Sequence, residues 1–410
     1  MNHILRRGAL EGERFRVIVT TDIGGSDPDD FQSMVHYLLY SDVFDTEGLI
    51  SSPWGEGRAS DIHAVIDEYE KDYPKLRAHS PRYPYPDELR AVTFQGTPDF
   101  APYKGWSQPT EASEHIIRCA RKEDARPLYL LMWGLLEDLA QALHDAPDIL
   151  PRLRVHYIGG PNKKWGPNAY AYIRKNFPDL WMIENNSTYR GWFNGGDMTA
   201  PWGNDTFVST YAADSGALGH YFNTHLGGVI KMGDTPTVAW LLRGNPEDPE
   251  SESWGGSYAP VKDMPERVYE HPTSADQPTE AFAVAELIFR GPVIEPTGKP
   301  VFMLEVLRQQ FEGFYLGGGE YRVRFVPKET GDFHYITRST IPEMDGLTGV
   351  IRAVAEIPAT RENLRGNLTH WWSDRLETDL SEGPHRGAKT VSRWRRDFLE
   401  DFAARLARCK

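Results

Sequence analysis

RFRVIVTTDIGGSDPDDFQSMVHYLL, residues 14–39, joins a β-branched apolar run to an amphipathic segment through a loop crowded with acids. RVIVTTD (16–22) reads as a strand. Asp29 to Tyr40 reads as a helix, with Phe31, Met34, Val35, Leu38 and Leu39 on one face. Asp27-Pro28 followed by Asp29-Asp30 suits a helix start: Asp27 as N-cap, Pro28 in the first turn, two further carboxylates complementing the dipole. The loop lies at the carboxyl end of a strand, where open α/β sheets bind their ligands.

Outward from this unit the alternation continues. TEGLISS (46–52), RPLYLLMWG (126–134), RLRVHYIGG (152–160) and LWMIENN (180–186) read as strands. RASDIHAVIDEYEKDYPKL (58–76), LEDLAQALHDA (136–146) and AYAYIRKNFPD (169–179) read as helices. The pattern predicts right-handed βαβ units and a mostly parallel open sheet flanked by helices. After about residue 285 the texture changes. KPVFMLEV (299–306), FEGFYLG (311–317), EYRVRFVP (320–327) and GDFHYITRST (331–340) are short alternating strands with Gly and Pro turns, the pattern of a small antiparallel β-sandwich. TVSRWRRDFLEDFAARLARCK (390–410) is helical again, and its stripe of Trp394, Phe398, Phe402 and Leu406 needs a surface to cover. The expected organisation is an α/β domain over 14–285, a β module over 286–357, and a segment over 358–410 that returns to the α/β domain.

The chain has 410 residues, 40% of them hydrophobic and 25% charged, which suits a globular protein with a large core. Its net charge of −14 argues against nucleic acid and favours cations and neutral substrates. Cys119 and Cys409 support neither a disulfide framework nor a zinc site. MNHILRRGALEGERF carries no apolar signal core, and nothing longer reads as a membrane span. The expectation is a cytoplasmic chain with no membrane partner; a chain trimmed of a leader would read the same and be secreted. A homo-oligomer stays open.

Asp22, Asp27, Asp29 and Asp30 fall within nine residues. Carboxylates sharing one crevice repel, and a bound divalent cation removes that problem. Oxygen-only ligands with no nearby Cys or His favour Ca²⁺ or Mg²⁺. GGVIKMGDTPTVAWLL (227–242) repeats the design: a strand, Val229 to Met232, ends in Gly233-Asp234, and a helix follows with Pro236 near its start. Alone, Asp234 is a plain N-cap; beside the first cluster it is a candidate closing ligand.

VIVTTDIGGSDPDDFQSM resembles the metal-binding loop of the inosine–uridine nucleoside hydrolases. It is closer to a nucleoside-hydrolase-like family often labelled cellulose-binding, whose loop runs Asp-Ile-Gly-Gly…Asp-Pro-Asp-Asp. The similarity extends through LMWGLLEDLAQAL (131–143), YIGGPNKKWGPNAYAYIRKNFPDLWMIENNSTYRGWF (157–193), KMGDTPTVAWLL (231–242), WGGSY (254–258) and RWRRDFLEDFAARL (393–406). GFYLGGGEYRVRFVPKETGDFHY resembles the immunoglobulin-like domains attached to carbohydrate-active enzymes. The resemblance implies a nucleoside-hydrolase-like fold and a Ca²⁺-dependent hydrolase of an N- or O-glycosidic bond, acting on a small sugar or glycoside. It implies Asp22, Asp30 and Asp234 as Ca²⁺ ligands, Glu137 as a ligand through its carbonyl, and Asp29 as the base that deprotonates water. Glu184 and Asn186, in IENN, match the segment that grips sugar hydroxyls, with Asn162 a further candidate.

The chain departs from the hydrolase pattern in three places. IGGSDP puts six residues between the first Asp and the Asp pair, where the family has three. SSPWGEG (51–57) replaces a sugar-binding Asn, leaving Trp54 and Glu56 as its substitutes. Gly233 stands where the family has a His before the last Asp, so that acid for the leaving group is absent. Trp133, Trp165, Trp181, Tyr189, Trp192, Phe193, Trp202 and Trp254 crowd the crevice loops; they suit sugar stacking or loop packing. Lys163-Lys164 reads as a solvated pair ahead of a contact for an acidic sugar. Two other functions compete: a carbohydrate-binding protein that keeps the metal site without turnover, and an aspartate-based phosphohydrolase, which lacks its usual second Asp two residues after Asp22.

Overall fold

The computed structural model describes residues 5–52, 55–261, 267–355 and 368–410. β1 (Phe15–Thr21) is buried along its whole length because it has neighbours on both edges and helices on both faces. Val17 and Val19 enter one hydrophobic core and Ile18 the other, so an unbroken apolar run is what the position demands. β2 (Phe44–Ser51), β3 (Thr93–Gln95), β4 (Leu128–Met132), β5 (Leu153–Ile158) and β6 (Met182–Asn185) are parallel to it. Their carboxyl ends therefore lie along one edge of the sheet. The helices Asp29–Leu39, Ala59–His79, Thr235–Leu242 and Arg395–Leu406 cover one face; Glu111–Ala120, Glu137–Asp145 and Pro167–Asn176 cover the other.

The chain leaves this sheet through β7 (Tyr258–Pro260) and forms a second one from β8 (Arg267–Glu270), β9 (Thr279–Glu280), β10 (Ala285–Arg290), β11 (Pro300–Val306), β12 (Gln309–Gly317), β13 (Glu320–Phe325), β14 (Gly331–Ser339) and β15 (Thr348–Val354). It returns at β16 (Trp371–Asp374), which pairs parallel to β6 and antiparallel to β7. The first sheet runs β3-β2-β1-β4-β5-β6-β16-β7. Exit and re-entry are neighbours, so the second sheet is inserted at the edge of the first. The second sheet runs β8-β10-β13-β12-β11-β14-β15-β9 and is antiparallel except at its two outermost pairs. Arg267 on one edge strand ion-pairs Glu280 on the other, which brings the two edges together around a core of Phe289, Phe302, Tyr321 and Tyr335. β8 and β9 belong to this sheet although they precede residue 286.

Two local expectations change. Pro28, not Asp27, occupies the N-cap position of the first helix, and no side chain caps it. Asp27 pairs instead with Lys231. Val229 is extended, but Met232 has φ +48 and the segment joins no sheet. The Gln32 amide takes the place of a neighbouring strand: its Nε2 donates to the Val229 carbonyl at 2.9 Å, and its Oε1 accepts from the Lys231 N–H at 3.0 Å. Among the described residues no helix is long and apolar enough to cross a membrane.

The final helix covers the first core. Phe398 stacks on Trp192 at 3.7 Å, and Phe402 meets His36, Phe207 and Phe222. Arg405, buried, ion-pairs Asp42 and donates to the Leu39 carbonyl at 3.2 Å, tying this helix to the end of the first one. Removing one partner of a buried pair strands the other charge. Arg405→Met is expected to destabilise the protein by about 3–5 kcal/mol. Arg405→Met with Asp42→Leu should recover at least half of that loss, read as urea midpoints at an unchanged slope.

Candidate active site

Asp22 follows the last residue of β1 and opens a turn closed by the Gly25 N–H donating to its carbonyl at 2.9 Å. Gly24 has φ +82 and is packed so closely that a Cβ would lie 2.8 Å from Gly57 Cα and 2.6 Å from an Asp61 carboxylate oxygen. The longer loop is thus accommodated against the loop after β2. The chain then re-enters at Asp29 and Asp30, the first two residues of the helix, both buried.

Each acid has a defined setting. The Thr21 hydroxyl donates to Asp30 Oδ1. The Gly233 N–H donates to Asp29 Oδ2 at 2.7 Å, and Lys231 Nζ lies 3.4 Å from Asp29 Oδ1. That backbone contact explains Gly233: a Cβ there would lie 2.5 Å from Asp29 Oδ2. Carboxylate oxygens of Asp29, Asp30 and Asp234 all fall within 4.8 Å of one another. Asp22 is in electrostatic contact with Asp29 and Asp30. Burial comes first among the causes that raise all four acids, followed by their neighbours. Asp22 is pushed to about 7 by burial and then Asp29. Asp30 is raised by burial and then Asp22, and Asp234 by burial and then Asp30. Asp29 is raised by burial and then its contact with Asp27.

Four such acids cannot all carry charge without a proton or a cation among them. Asp234 Oδ2 is buried with no hydrogen-bond partner, an acceptor to which nothing donates. An all-oxygen donor set of this kind fits a hard divalent ion such as Ca²⁺.

The other expected residues fare differently. Glu137 begins a helix, so its carbonyl belongs to the helical ladder, and its carboxylate points into a cleft walled by Trp165, Gly166 and Phe311. At the end of β4 it is Gly134 that lies against Asp22: a Cβ there would be 2.8 Å from the Asp22 nitrogen. Glu184 is fully engaged by the protein. Its Oε1 pairs with Lys163 and accepts from Asn186 Nδ2 at 2.8 Å, and its Oε2 accepts from the Tyr170 hydroxyl at 2.8 Å. Asn186 keeps a buried Oδ1 without a partner. Asn162 spends both amide hydrogens on the Trp133 and Ile158 carbonyls, at 2.6 and 2.9 Å, and so fixes the ends of β4 and β5. Glu56 is exposed, and Trp54 lies outside the described residues.

Most of the aromatic residues pack the body: Trp133, Trp181, Tyr189, Trp192 and Trp254 are buried. Lys163 and Lys164 are not a solvated pair but are only 1% and 8% exposed. Tyr157 escaped the sequence reading. Its hydroxyl is buried, unpartnered, and surrounded by the charges of Glu137, Glu184 and Asp22. In the sequence it is one more apolar-looking position of a strand.

Comparison with known proteins agrees with this geometry. Residues 16–258 match the family model described as cellulose-binding Sde182, nucleoside hydrolase-like domain. Residues 279–340 match a domain of unknown function, DUF5060. Among solved structures, the chain is similar to a nucleoside hydrolase-related hypothetical protein from Saccharophagus degradans associated with carbohydrate metabolism. The TM-score is 0.52 at 17% identity, over 83% of this chain and 99% of that one. An inosine-uridine preferring nucleoside hydrolase from Bacillus anthracis aligns with a TM-score of 0.39 at 18% identity, over 62% of this chain and 86% of that one. No curated protein matches.

Glu137 gives a test of the polar interior. Its Oε2 has no hydrogen-bond partner, and burial holds the carboxyl at about 7, against 4.5 for a free glutamate. A carboxyl raised in the folded state contributes stability below pH 4.5 that is lost as pH rises through 7. Glu137→Gln should therefore melt near the wild type at pH 5 and be more stable at pH 8, by up to about 3 kcal/mol. Calorimetric melting at the two pH values checks this; a constant difference would contradict it.

Proposed function

We propose that this chain, which belongs to the cellulose-binding Sde182 nucleoside hydrolase-like family, hydrolyses a glycosidic bond of a small sugar or glycoside. The observation that carries the reading is the buried set of Asp29, Asp30 and Asp234, within 4.8 Å of one another at the carboxyl edge of a parallel sheet. Asp22, Asp30 and Asp234 would hold Ca²⁺. When bound, that ion supplies positive charge that lowers the pKa of a neighbouring water and binds sugar hydroxyls. Asp29 would be the base. The Gly233 N–H at 2.7 Å fixes one of its oxygens, and Lys231 at 3.4 Å favours its charged form. With the proton taken up by Asp29, water attacks the anomeric carbon, the glycosidic bond breaks, and the leaving group departs with its electron pair and takes a proton from solvent. The surrounding carboxylates favour the positive charge that develops on the sugar ring.

One observation supports a second reading, a carbohydrate-binding protein without turnover. Glu184, expected to grip sugar hydroxyls, has its oxygens taken by Lys163, Asn186 and Tyr170. The two readings separate cleanly. Under hydrolysis, Asp29→Asn should lower the turnover of any glycoside the protein cleaves at least 100-fold without lowering its melting temperature. Chelation should silence the wild type, and added Ca²⁺ should restore it. Full activity in the Asn variant, or after chelation, would sink the mechanism. Sugar affinity with no reducing-end release by the wild type would select the binding reading.

A further inference from the structure

A small pocket lies where the inserted module meets the body. Glu137 lines it from the helix after β4, Phe100, Ala101 and Pro167 add apolar walls, and Phe311 of β12 closes it from the module. Direct contacts fix these walls. Trp165 stacks on Phe311 with ring centres 5.8 Å apart. Asn168 Nδ2 donates to the Ala101 carbonyl at 3.0 Å, and Asn168 Oδ1 accepts from Arg324 Nη1 at 3.0 Å. Body and module thus shape the pocket together.

One buried polar atom in it is left over. Glu137 is only 4% exposed. Its Oε1 accepts from the Ala101 N–H at 3.4 Å, whereas its Oε2 is buried and has no hydrogen-bond partner. Leaving a buried acceptor unmatched is costly, and a donor brought in by a ligand removes that cost. Gly166 keeps the carboxylate open: a Cβ there would lie 3.0 and 3.1 Å from its two oxygens. The Gly166 φ of −111 lies on the side that other residues adopt, so clearance over Glu137 accounts for the glycine better than backbone conformation does.

Size and chemistry select the occupant. The pocket measures about 30 Å³, room for about two water-sized groups. A sugar ring is too large for it, and an arm of two heavy atoms fits. The apolar walls suit a carbon, and the buried acceptor suits a hydroxyl at its end. The hydroxymethyl arm of a hexose combines the two. The pocket also lies on the side of the acids: Gly134, three residues before Glu137, is packed so that a Cβ there would be 2.8 Å from the Asp22 nitrogen.

We propose that the pocket at Glu137 seats the hydroxymethyl arm of a hexose, so that this protein takes hexosides in preference to pentosides. The inference names the sugar class for the site proposed above and rests on that reading for the bond cleaved. Its test needs binding alone. Calorimetric titration of the full chain compares β-1,4-linked cellotriose, mannotriose and xylotriose; xylotriose has the ring backbone of cellotriose without the hydroxymethyl arms. A hexose probe should bind at least tenfold tighter than xylotriose. Gly166→Ala, which covers the carboxylate, and Glu137→Leu, which removes the acceptor, should each take away at least fivefold of that preference and leave the affinity for xylotriose unchanged. The two variants act on opposite sides of the contact, so one that melts as cooperatively as the wild type suffices. Equal binding of hexose and pentose probes, no binding of any of them, or a preference that survives substitution overturns the proposal. A hexose preference without release of product from any probe removes the hydrolase reading and leaves the pocket standing.

Discussion

Four carboxylates at the carboxyl end of β1 and its neighbours, Asp29, Asp30 and Asp234 buried and Asp22 half-buried, are the constraint around which the site is built. Each loses hydration and is raised further by a neighbouring acid; Asp22 is held at about 7 by burial and then by Asp29. Such a cluster is stable only with compensation, and the chain supplies part of it. Thr21 donates to Asp30, the Gly233 amide donates to Asp29, and Lys231 stands beside Asp27 and Asp29. Asp234 Oδ2 receives nothing from the chain. The uncompensated remainder has the ligand chemistry of one hard cation.

The inserted module is part of this arrangement. Because β7 and β16 are adjacent strands at one end of the first sheet, the module emerges beside β6, next to Glu184, Asn186 and Arg190. The Lys163–Glu184 pair is nearly dry, at 1% and 2% side-chain exposure, and Lys163 also holds the Phe282 carbonyl. A buried pair of this kind adds little net stability, but it penalises any other placement of its partners. It sets the module's position over the crevice through one ammonium group. Arg324 adds a second anchor, donating from the module to the Tyr103 carbonyl at 2.9 Å and to Asn168 Oδ1 at 3.0 Å.

Much of this was legible in the sequence because it is local. Strand runs buried on both faces and helices with one apolar stripe carry their own periodicity, so the parallel sheet and the acidic loop could be read from residues 14–39 outward. The long-range features could not. β16 is four residues long and follows an insertion, so only its partners, β6 and β7, reveal it. The strand expected at Val229 to Met232 failed because Gln32, nearly two hundred residues away, satisfies its backbone with a side chain. Glu184 looked like a free sugar ligand because the sequence cannot show that Lys163 and Tyr170 converge on it. Lys163-Lys164 looked solvated because the strands that bury the pair come more than a hundred residues later.

Gly233 joins these arguments. The amide at this position fixes one oxygen of Asp29, and the 2.5 Å clearance to a Cβ leaves no room for a side chain unless Asp29 moves. This placement of the Asp29 carboxylate and a side chain at 233 therefore exclude each other. The related hydrolases, by resemblance, place a His there; this chain has Gly233, whose amide holds the Asp29 carboxylate. Glu184 cannot easily replace it, since its oxygens are taken by Lys163, Asn186 and Tyr170. Under the proposed hydrolysis, leaving groups that need little protonation, or a proton supplied by the substrate or by water, are then favoured. Selection among substrates passes from the leaving group to the sugar, which is the part of a ligand that the acids, Asn186 Oδ1 and the module's cover can reach.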